Sequence, residues 1–235
     1  MKILTNEKSI RRNARIGQYT SLASLVILAG GMYVSFVYPT QVNISFIALL
    51  VGFLLSQVGI FFGNRWGRRP RVDERLTAAL KGLTKDYTFY HFLTPVHHLL
   101  IGPAGIWIVE TFYQRGKISY EKGKWRQKGG GLLLGYLKIF AQEGLGNPEM
   151  EAKADIDNLT AQIKKSLVED KPFPPVNLVM VFTDDRVELD AEGSPFPAMK
   201  IDDLKEFFRK TSKLTPVQPE EIAPILNIFP TESNE

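Results

Sequence analysis

The sequence predicts an α/β domain preceded by two transmembrane α-helices. Two runs near the N-terminus, residues 20–38 and 44–62, contain no charged side chain, and each approaches the roughly 20 residues needed to cross a bilayer. From residue 72 onward, short runs rich in Ile and Val alternate with segments whose apolar residues recur at helical spacing. The first pattern is typical of a membrane hairpin, and the second of a mixed β-sheet flanked by helices.

Basic residues are concentrated at the two outer ends of the hairpin, residues 19–63. They occur before the first run, within residues 1–18, and again in the linker at residues 64–71. The loop at residues 39–43 is uncharged, so the positive-inside rule predicts that both chain termini are cytoplasmic. The first run is too long for a signal peptide and is followed by a second span. These basic residues are Lys2, Lys8, Arg11, Arg12, Arg15, Arg65, Arg68, Arg69 and Arg71.

The net charge of +4 therefore does not characterise the soluble part. Without the linker arginines, the residues after the hairpin are mildly acidic, which does not indicate a nucleic-acid-binding domain as a whole. The chain has no cysteine, which excludes disulfides and Cys-based zinc sites.

The second span has small residues on one helical face, which allows close approach of another membrane helix. The first span, with Gly30 and Gly31, is one candidate partner, and a second copy of the protein is the other. The small residues are Gly52, Ser56, Gly59 and Gly63.

The soluble part reads as alternating helices and strands. Asn147 and Pro148 have the residue types that begin a helix, as cap and first position. Three consecutive glycines at residues 129–131 lack the rest of a phosphate-loop pattern. Helices are predicted at about residues 73–83, from 147, at 202–210 and at 220–227, strands at 87–92, 117–120, 124–127, 176–182 and 187–189, and a loose tail at 230–235.

The most informative stretch is a predicted hairpin of two buried strands, residues 96–101 and 106–109, around a turn of Gly102, Pro103, Ala104 and Gly105. His97 and His98 lie near its start, and Glu110 ends its second strand. A carboxylate at the end of a core strand is costly to bury unless it is paired, so a metal ion and exposure to solvent both remain open.

This stretch resembles the core of the nuclease-related domain (NERD) family, a branch of the PD-(D/E)XK nuclease superfamily. The similarity includes the Gly102-Pro103 turn with Gly105, the apolar strand ending at Glu110, and the later Gly116-Lys117-Ile118. It extends over about residues 72–183 and implies a restriction-endonuclease-like core, with residues 184–229 as a C-terminal α/β extension of the same domain.

The resemblance also assigns an active site and shows where this chain departs from it. The family's metal-binding aspartate corresponds to His97, and the lysine of its E-x-K motif corresponds to Phe112. Glu74 and Glu110 retain the other two carboxylates. A family glutamine in the long helix is replaced by Glu151.

An active member would hold Mg²⁺ or Mn²⁺, and the candidate metal ligands here are Glu110 and His97. A histidine nitrogen suits Mg²⁺ poorly. Lys117 could replace the missing ammonium only if its side chain reached inward. His97 and His98 are adjacent, so in a strand they would face opposite sides and could not both line one pocket.

Two functions follow from these observations. One is a membrane-tethered pseudonuclease that acts as a binding or scaffolding module, and the other is an active metal-dependent DNA or RNA nuclease with a rearranged site.

The predicted strands at residues 117–120 and 124–127 form a second hairpin, here called the outer hairpin. It places basic residues between aromatic ones, which could contact nucleic acid or lipid. The alternative is a solvated edge that prevents aggregation. Its basic residues are Lys117, Lys122, Lys124, Arg126 and Lys128.

Overall fold

The computed structural model describes residues 1–128, 145–167 and 172–234. The glycine-rich segment at residues 129–131 lies outside this range. The described chain forms two compact units: Lys8–Arg71, and Met1–Glu7 together with the residues from Val72 onward.

The first unit is a pair of helices, α1 (Glu7–Val37) and α2 (Val42–Phe62), followed by a short π-helix (Gly63–Gly67). Both helices are long and apolar enough to cross a membrane. Helix α1 starts well before the uncharged run, so most of the basic N-terminal segment is helical.

Small residues let the two helices approach closely. A side chain at Gly59 would collide with Ser21, and one at Gly52 would collide with Leu28. Gly31 faces Ala48 in the same way, whereas the space around Gly30 is open. The first span is therefore the partner of Gly52 and Gly59, and these two glycines are used inside the hairpin.

The second unit contains a six-stranded mixed sheet in the order β1-β2-β3-β4-β7-β9. Neighbouring strands are antiparallel from β2 to β4 and parallel in the pairs β1–β2, β4–β7 and β7–β9. A second sheet has the order β6-β5-β8. The strands are β1 (Lys2–Thr5), β2 (Thr88–His91), β3 (His98–Gly102), β4 (Gly105–Phe112), β5 (Gly116–Glu121), β6 (Lys124–Lys128), β7 (Val176–Phe182), β8 (Val187–Asp190) and β9 (Ala198–Lys200).

Helices cover both faces of the large sheet. The first core joins Leu99 and Ile108 to Leu159 of one helix, and the second core joins Leu100 and Val109 to Leu76 of another. The helices of this unit are α3 (Val72–Ala79), α4 (Pro148–Ser166), α5 (Leu204–Leu214), which follows a 3₁₀ turn (Ile201–Asp203), and α6 (Pro219–Leu226). The fold is thus mixed α/β with sheets flanked by helices, consistent with a nuclease-like core.

The conformation and packing of the turn between β3 and β4 explain why it contains glycines. Gly105 has a φ of +98°, which favours glycine, and a side chain at Gly102 would run into the ring of Tyr87. The cap of α4 also follows the prediction, because the side chain of Asn147 accepts a hydrogen bond from the backbone N–H of Met150.

Both chain ends differ from the sequence-based expectation. Residues 2–5, predicted only as a basic segment, form strand β1, which pairs with β2 and buries Leu4. The tail, predicted to be loose, is held beside β1: Asn234 bridges to Asn6, and the hydroxyl of Ser233 accepts a hydrogen bond from the N–H of Thr5. A four-residue strand whose partner is distant in sequence has no local signature.

Strand β1 should contribute to the stability of the domain although both α1 and α2 separate it in sequence from its partner β2. We expect Leu4→Ala to lower the free energy of unfolding by about 2–5 kcal/mol, because it leaves a cavity in the first core. Ile3→Ala, on the exposed side of the same strand, should change it by only about 0.5 kcal/mol. Denaturant unfolding of the full chain in detergent, followed by tryptophan fluorescence, measures both; equal effects would contradict the assignment of β1 to the core.

Candidate active site

The predicted site residues lie at one edge of the large sheet. Strands β4 and β7 end there, and the antiparallel strand β3 begins there. Glu110 and Phe112 are at the end of β4, and His97 directly precedes β3. Arg75 of α3 forms an ion pair of 2.9 Å with Asp185, which follows β7, so the adjacent Glu74 lies at this edge too. The topology therefore brings the first turn of α3 and these strand ends together.

Phe112, at the position of the family lysine, is part of the first core. Its side chain is buried and stacks on Phe182 of the neighbouring strand, with ring centroids 5.2 Å apart and an interplanar angle of 25°. The indole of Trp125 lies 6.0 Å from Phe182. An ammonium group at this position would replace one ring of an aromatic cluster and would be costly to bury.

Glu110 and His97 approach the expected arrangement only in part. The register of β3 with β4 pairs Leu99 with Ile108. If this antiparallel register continued for two more residues, His97 would lie opposite Glu110. However, β3 begins at His98, and His97 is exposed, with its ring 5.8 Å from that of Phe92. Glu110 is half-buried.

Within the described part of the chain, no group of three or more His, Asp and Glu side chains could hold a metal. Glu74 is on α3, which packs on the second core, whereas Glu110 lies on the strand face that Ile108 and Phe112 direct toward the first core. Helix α3 and the side of β4 that carries Glu110 therefore lie on opposite faces of the sheet.

Lys117 does not fill the lysine position. It alternates in β5 with Ile118, which is fully buried in the first core, so the exposed Lys117 faces the other side. Its register partners there are Lys128 on one side and Glu188 on the other. The Lys117 side chain therefore lies on the side of β5 away from the first core.

A polar cluster that sequence analysis missed lies on the second core face. Nδ1 of His91 and Nδ1 of His98 are 2.9 Å apart, and Nε2 of His91 is 3.0 Å from the hydroxyl oxygen of Thr77. Both histidines are buried. His98 is buried in this cluster, whereas the adjacent His97 is exposed. The pairing of His91 with His98 across β2 and β3 could have been found only from the strand register.

The outer hairpin has a mixed charge, although its sequence appears basic. Glu121 pairs with Lys128 at 3.4 Å and with Arg126 at 4.0 Å. The hydroxyl of Ser119 donates to Glu121, and this bond together with Lys128 lowers the pKa of the Glu121 carboxyl. On the other side of β5, the neighbouring strand β8 adds the exposed carboxylates of Glu188 and Asp190.

The loop after β7 is held by a bidentate ion pair. Arg186 donates from Nε and Nη2 to the two carboxylate oxygens of Asp184, at 2.9 and 2.7 Å. This pair holds the pKa of Asp184 below its usual range. Thr183, one residue earlier, donates its hydroxyl and its N–H to the carbonyl of Phe112. The loop therefore fixes the end of β4 where the candidate site lies.

The Asp184 pair should make the domain sensitive to acid. Because the folded-state pKa is lowered, ionised Asp184 stabilises the fold above the ordinary carboxyl pKa of about 4, and this contribution is lost as pH falls through the lower value. We expect Asp184→Asn to lower the Tm slightly at pH 7 and to match the unmodified chain near pH 2. Asp190→Asn, on exposed β8, is the matched control. A difference in Tm that persists unchanged to low pH would contradict the assignment.

A family model matches the part of the chain that contains the candidate site positions. The model of the nuclease-related domain family, NERD, matches residues 71–183, a range that includes α3, the strands β2 to β7 and every candidate site position discussed above. No curated protein and no solved structure matches the chain. The part of the chain that forms the candidate site therefore matches the nuclease-related domain family.

Proposed function

We propose that this protein is a membrane-anchored NERD-like domain on the cytoplasmic side, with a degenerate nuclease centre, that serves as a binding or scaffolding module. The observation that carries this proposal is the environment of Phe112. The residue at the lysine position is stacked on Phe182 inside the core, and Lys117, the nearest basic residue in the motif, faces the other way.

The chemistry of phosphodiester hydrolysis supports the same conclusion. A nuclease of this superfamily needs a metal held by oxygen ligands to activate water and to neutralise charge on the phosphate. In this chain His97 replaces one oxygen ligand and is exposed, and the helix that carries Glu74 lies on the sheet face opposite to the side of β4 that carries Glu110. The backbone of the site is kept while its reactive side chains are changed, which is typical of a fold retained for binding.

Nuclease assays test this proposal directly. We expect the full chain in detergent to show no Mg²⁺- or Mn²⁺-dependent cleavage of DNA or RNA above background. Each 1.4 kcal/mol of lost transition-state stabilisation costs about tenfold in rate, and two central groups are absent. Robust cleavage by the unmodified protein that Glu110→Ala abolishes would identify an active nuclease with a rearranged site instead.

The double variant His97→Asp with Phe112→Lys provides the reciprocal test. It supplies the oxygen ligand and the ammonium, so we expect it to gain weak metal-dependent cleavage over the unmodified chain. Phe112→Leu with His97→Asp is the matched control, since it supplies the ligand and keeps the position apolar. Circular dichroism must show that the lysine variant is folded, because its ammonium would lie beside Phe182.

The position of strand β1 supports a hairpin whose two ends are on one side of the membrane. Strand β1 precedes α1 by one residue, and its partner β2 follows α2 in the chain, yet both belong to the same sheet. With basic residues at both outer ends and none in the loop, we assign that side to the cytoplasm.

Cysteine labelling tests this topology in intact cells, because the natural chain has no cysteine. We expect Gln41→Cys to react with a membrane-impermeant maleimide from outside, and Glu232→Cys to react only after the cells are permeabilised. Both residues are exposed, so a difference in reactivity reports the side of the membrane. Equal labelling of the two in intact cells would contradict the proposed orientation.

A further inference from the structure

Helix α1 has an exposed basic face directly before its apolar run. Lys8, Arg11, Arg12 and Arg15 follow one another at helical spacing, and all four are exposed. Residues at i, i+3, i+4 and i+7 lie on one side of an α-helix. The sequence alone indicates only an excess of positive charge, whereas the helix aligns the four side chains in one direction.

The second basic segment lies at the same end of the hairpin. A side chain at Gly17 would touch the backbone of Gly63, and one at Gly59 would touch Ser21, so the two helices are antiparallel and in contact up to this level. Arg15 lies two residues before Gly17, and Arg65 two residues after Gly63. The basic residues that precede α1's apolar run and those that follow α2 are therefore brought to one end, here called the hairpin base: Lys8, Arg11, Arg12, Arg15, Arg65, Arg68 and Arg69.

The hairpin base also has an aromatic residue of the kind found at membrane interfaces. The guanidinium of Arg65 lies 5.5 Å from the ring centroid of Trp66, and this ring contacts those of Phe61 and Phe62. Tryptophan is enriched where the hydrocarbon region meets the headgroups. Trp66 thus marks the depth at which the neighbouring arginines would meet lipid phosphates.

The hairpin base has an excess of positive charge, and Glu7, in the first turn of α1, is the acidic residue that directly precedes it. The sequence from Lys8 to Arg71 contains no Asp or Glu, in contrast to the outer hairpin, where Glu121 pairs with two of the basic residues. Arginine is also the side chain best suited to phosphate, because its planar fork donates two parallel hydrogen bonds. The charge, its depth and the donor geometry all fit an anionic headgroup.

We propose that the hairpin base is a binding surface for the headgroups of anionic phospholipids. This inference rests on the membrane anchoring in the proposed function and adds the lipid class that the anchor selects. A nucleic acid would meet the same charge, but the basic face continues directly into an apolar run that requires lipid. The charges at the base therefore select a membrane with negative surface charge for this protein.

Reconstitution of the full chain in phosphatidylcholine vesicles tests the proposal. Trace spin-labelled phosphatidylglycerol or phosphatidylcholine is added, and electron paramagnetic resonance measures how much of each probe the protein immobilises. We compare the unmodified chain with the combined substitution of Lys8, Arg11, Arg12 and Arg15 by Gln. The matched control replaces Lys117, Lys122, Lys124 and Lys128 by Gln, which removes the same number of charges from the outer hairpin.

We expect the unmodified chain to prefer phosphatidylglycerol, the base variant to lose roughly threefold or more of that preference, and the control to keep it. One basic side chain at an anionic surface contributes about 1 kcal/mol, or about fivefold in an equilibrium constant. High salt should weaken the preference in the unmodified chain.

Three results would overturn the proposal. The first is equal immobilisation of both probes by the unmodified chain, and the second is loss of the preference in the control variant instead of the base variant. The third is that the unmodified chain shows no lipid preference but binds a labelled single-stranded oligonucleotide, and that only the base variant loses this binding. That result would assign the hairpin base to nucleic acid. A separate experiment tests the membrane anchoring by alkaline extraction of membranes that contain the protein. Release of the protein into the soluble fraction would overturn the membrane anchoring itself, and with it this inference.

Discussion

The burial of strand β4 on both faces is the constraint on which the domain depends. Ile106, Ile108 and Phe112 belong to the first core, and Trp107 and Val109 to the second. Fully burying a side chain of this kind contributes roughly 1.5–3 kcal/mol, so the strand links the two cores energetically as well as geometrically. Its end, where Glu110 lies, is where the strand can present a polar group. In an active nuclease such an end forms the catalytic centre, and here Phe112 extends the core to the last residue of the strand.

The sequence was sufficient to predict those parts of the fold that have a local signature. Continuous apolar runs predicted β3, β4 and β7, and the residues of the turn and of the α4 cap have the conformations that their types require. Strand β1 could not be predicted because Lys2 pairs with Thr88, far along the chain. The candidate site also combines features that have a local sequence signature with features that do not. Its position at a strand end was predictable, whereas the stacking of Phe112 on Phe182 and the contact of His91 with His98 depend on strand register.

Charge in this protein has two different structural settings, which composition does not distinguish. On the outer hairpin, strand pairing places Glu121, Glu188 and Asp190 beside the basic side chains, so the surface is of mixed sign. At the hairpin base the basic residues have no acidic residue among them from Lys8 to Arg71. The second arrangement has an excess of positive charge, and it adjoins the segment that is apolar enough to enter a membrane.

The pairing of β1 with β2 has a consequence for how the protein is made. Strand β1 is synthesised before α1 and α2, whereas its partner β2 is synthesised after them. During that interval Leu4 has no core to enter, and both helices have to be accommodated before the sheet can close. Contacts between residues so distant in sequence form late, because closing a long loop costs entropy before the contact is gained. Completion of the sheet therefore requires that β1 stays accessible to β2 until α1 and α2 have been made.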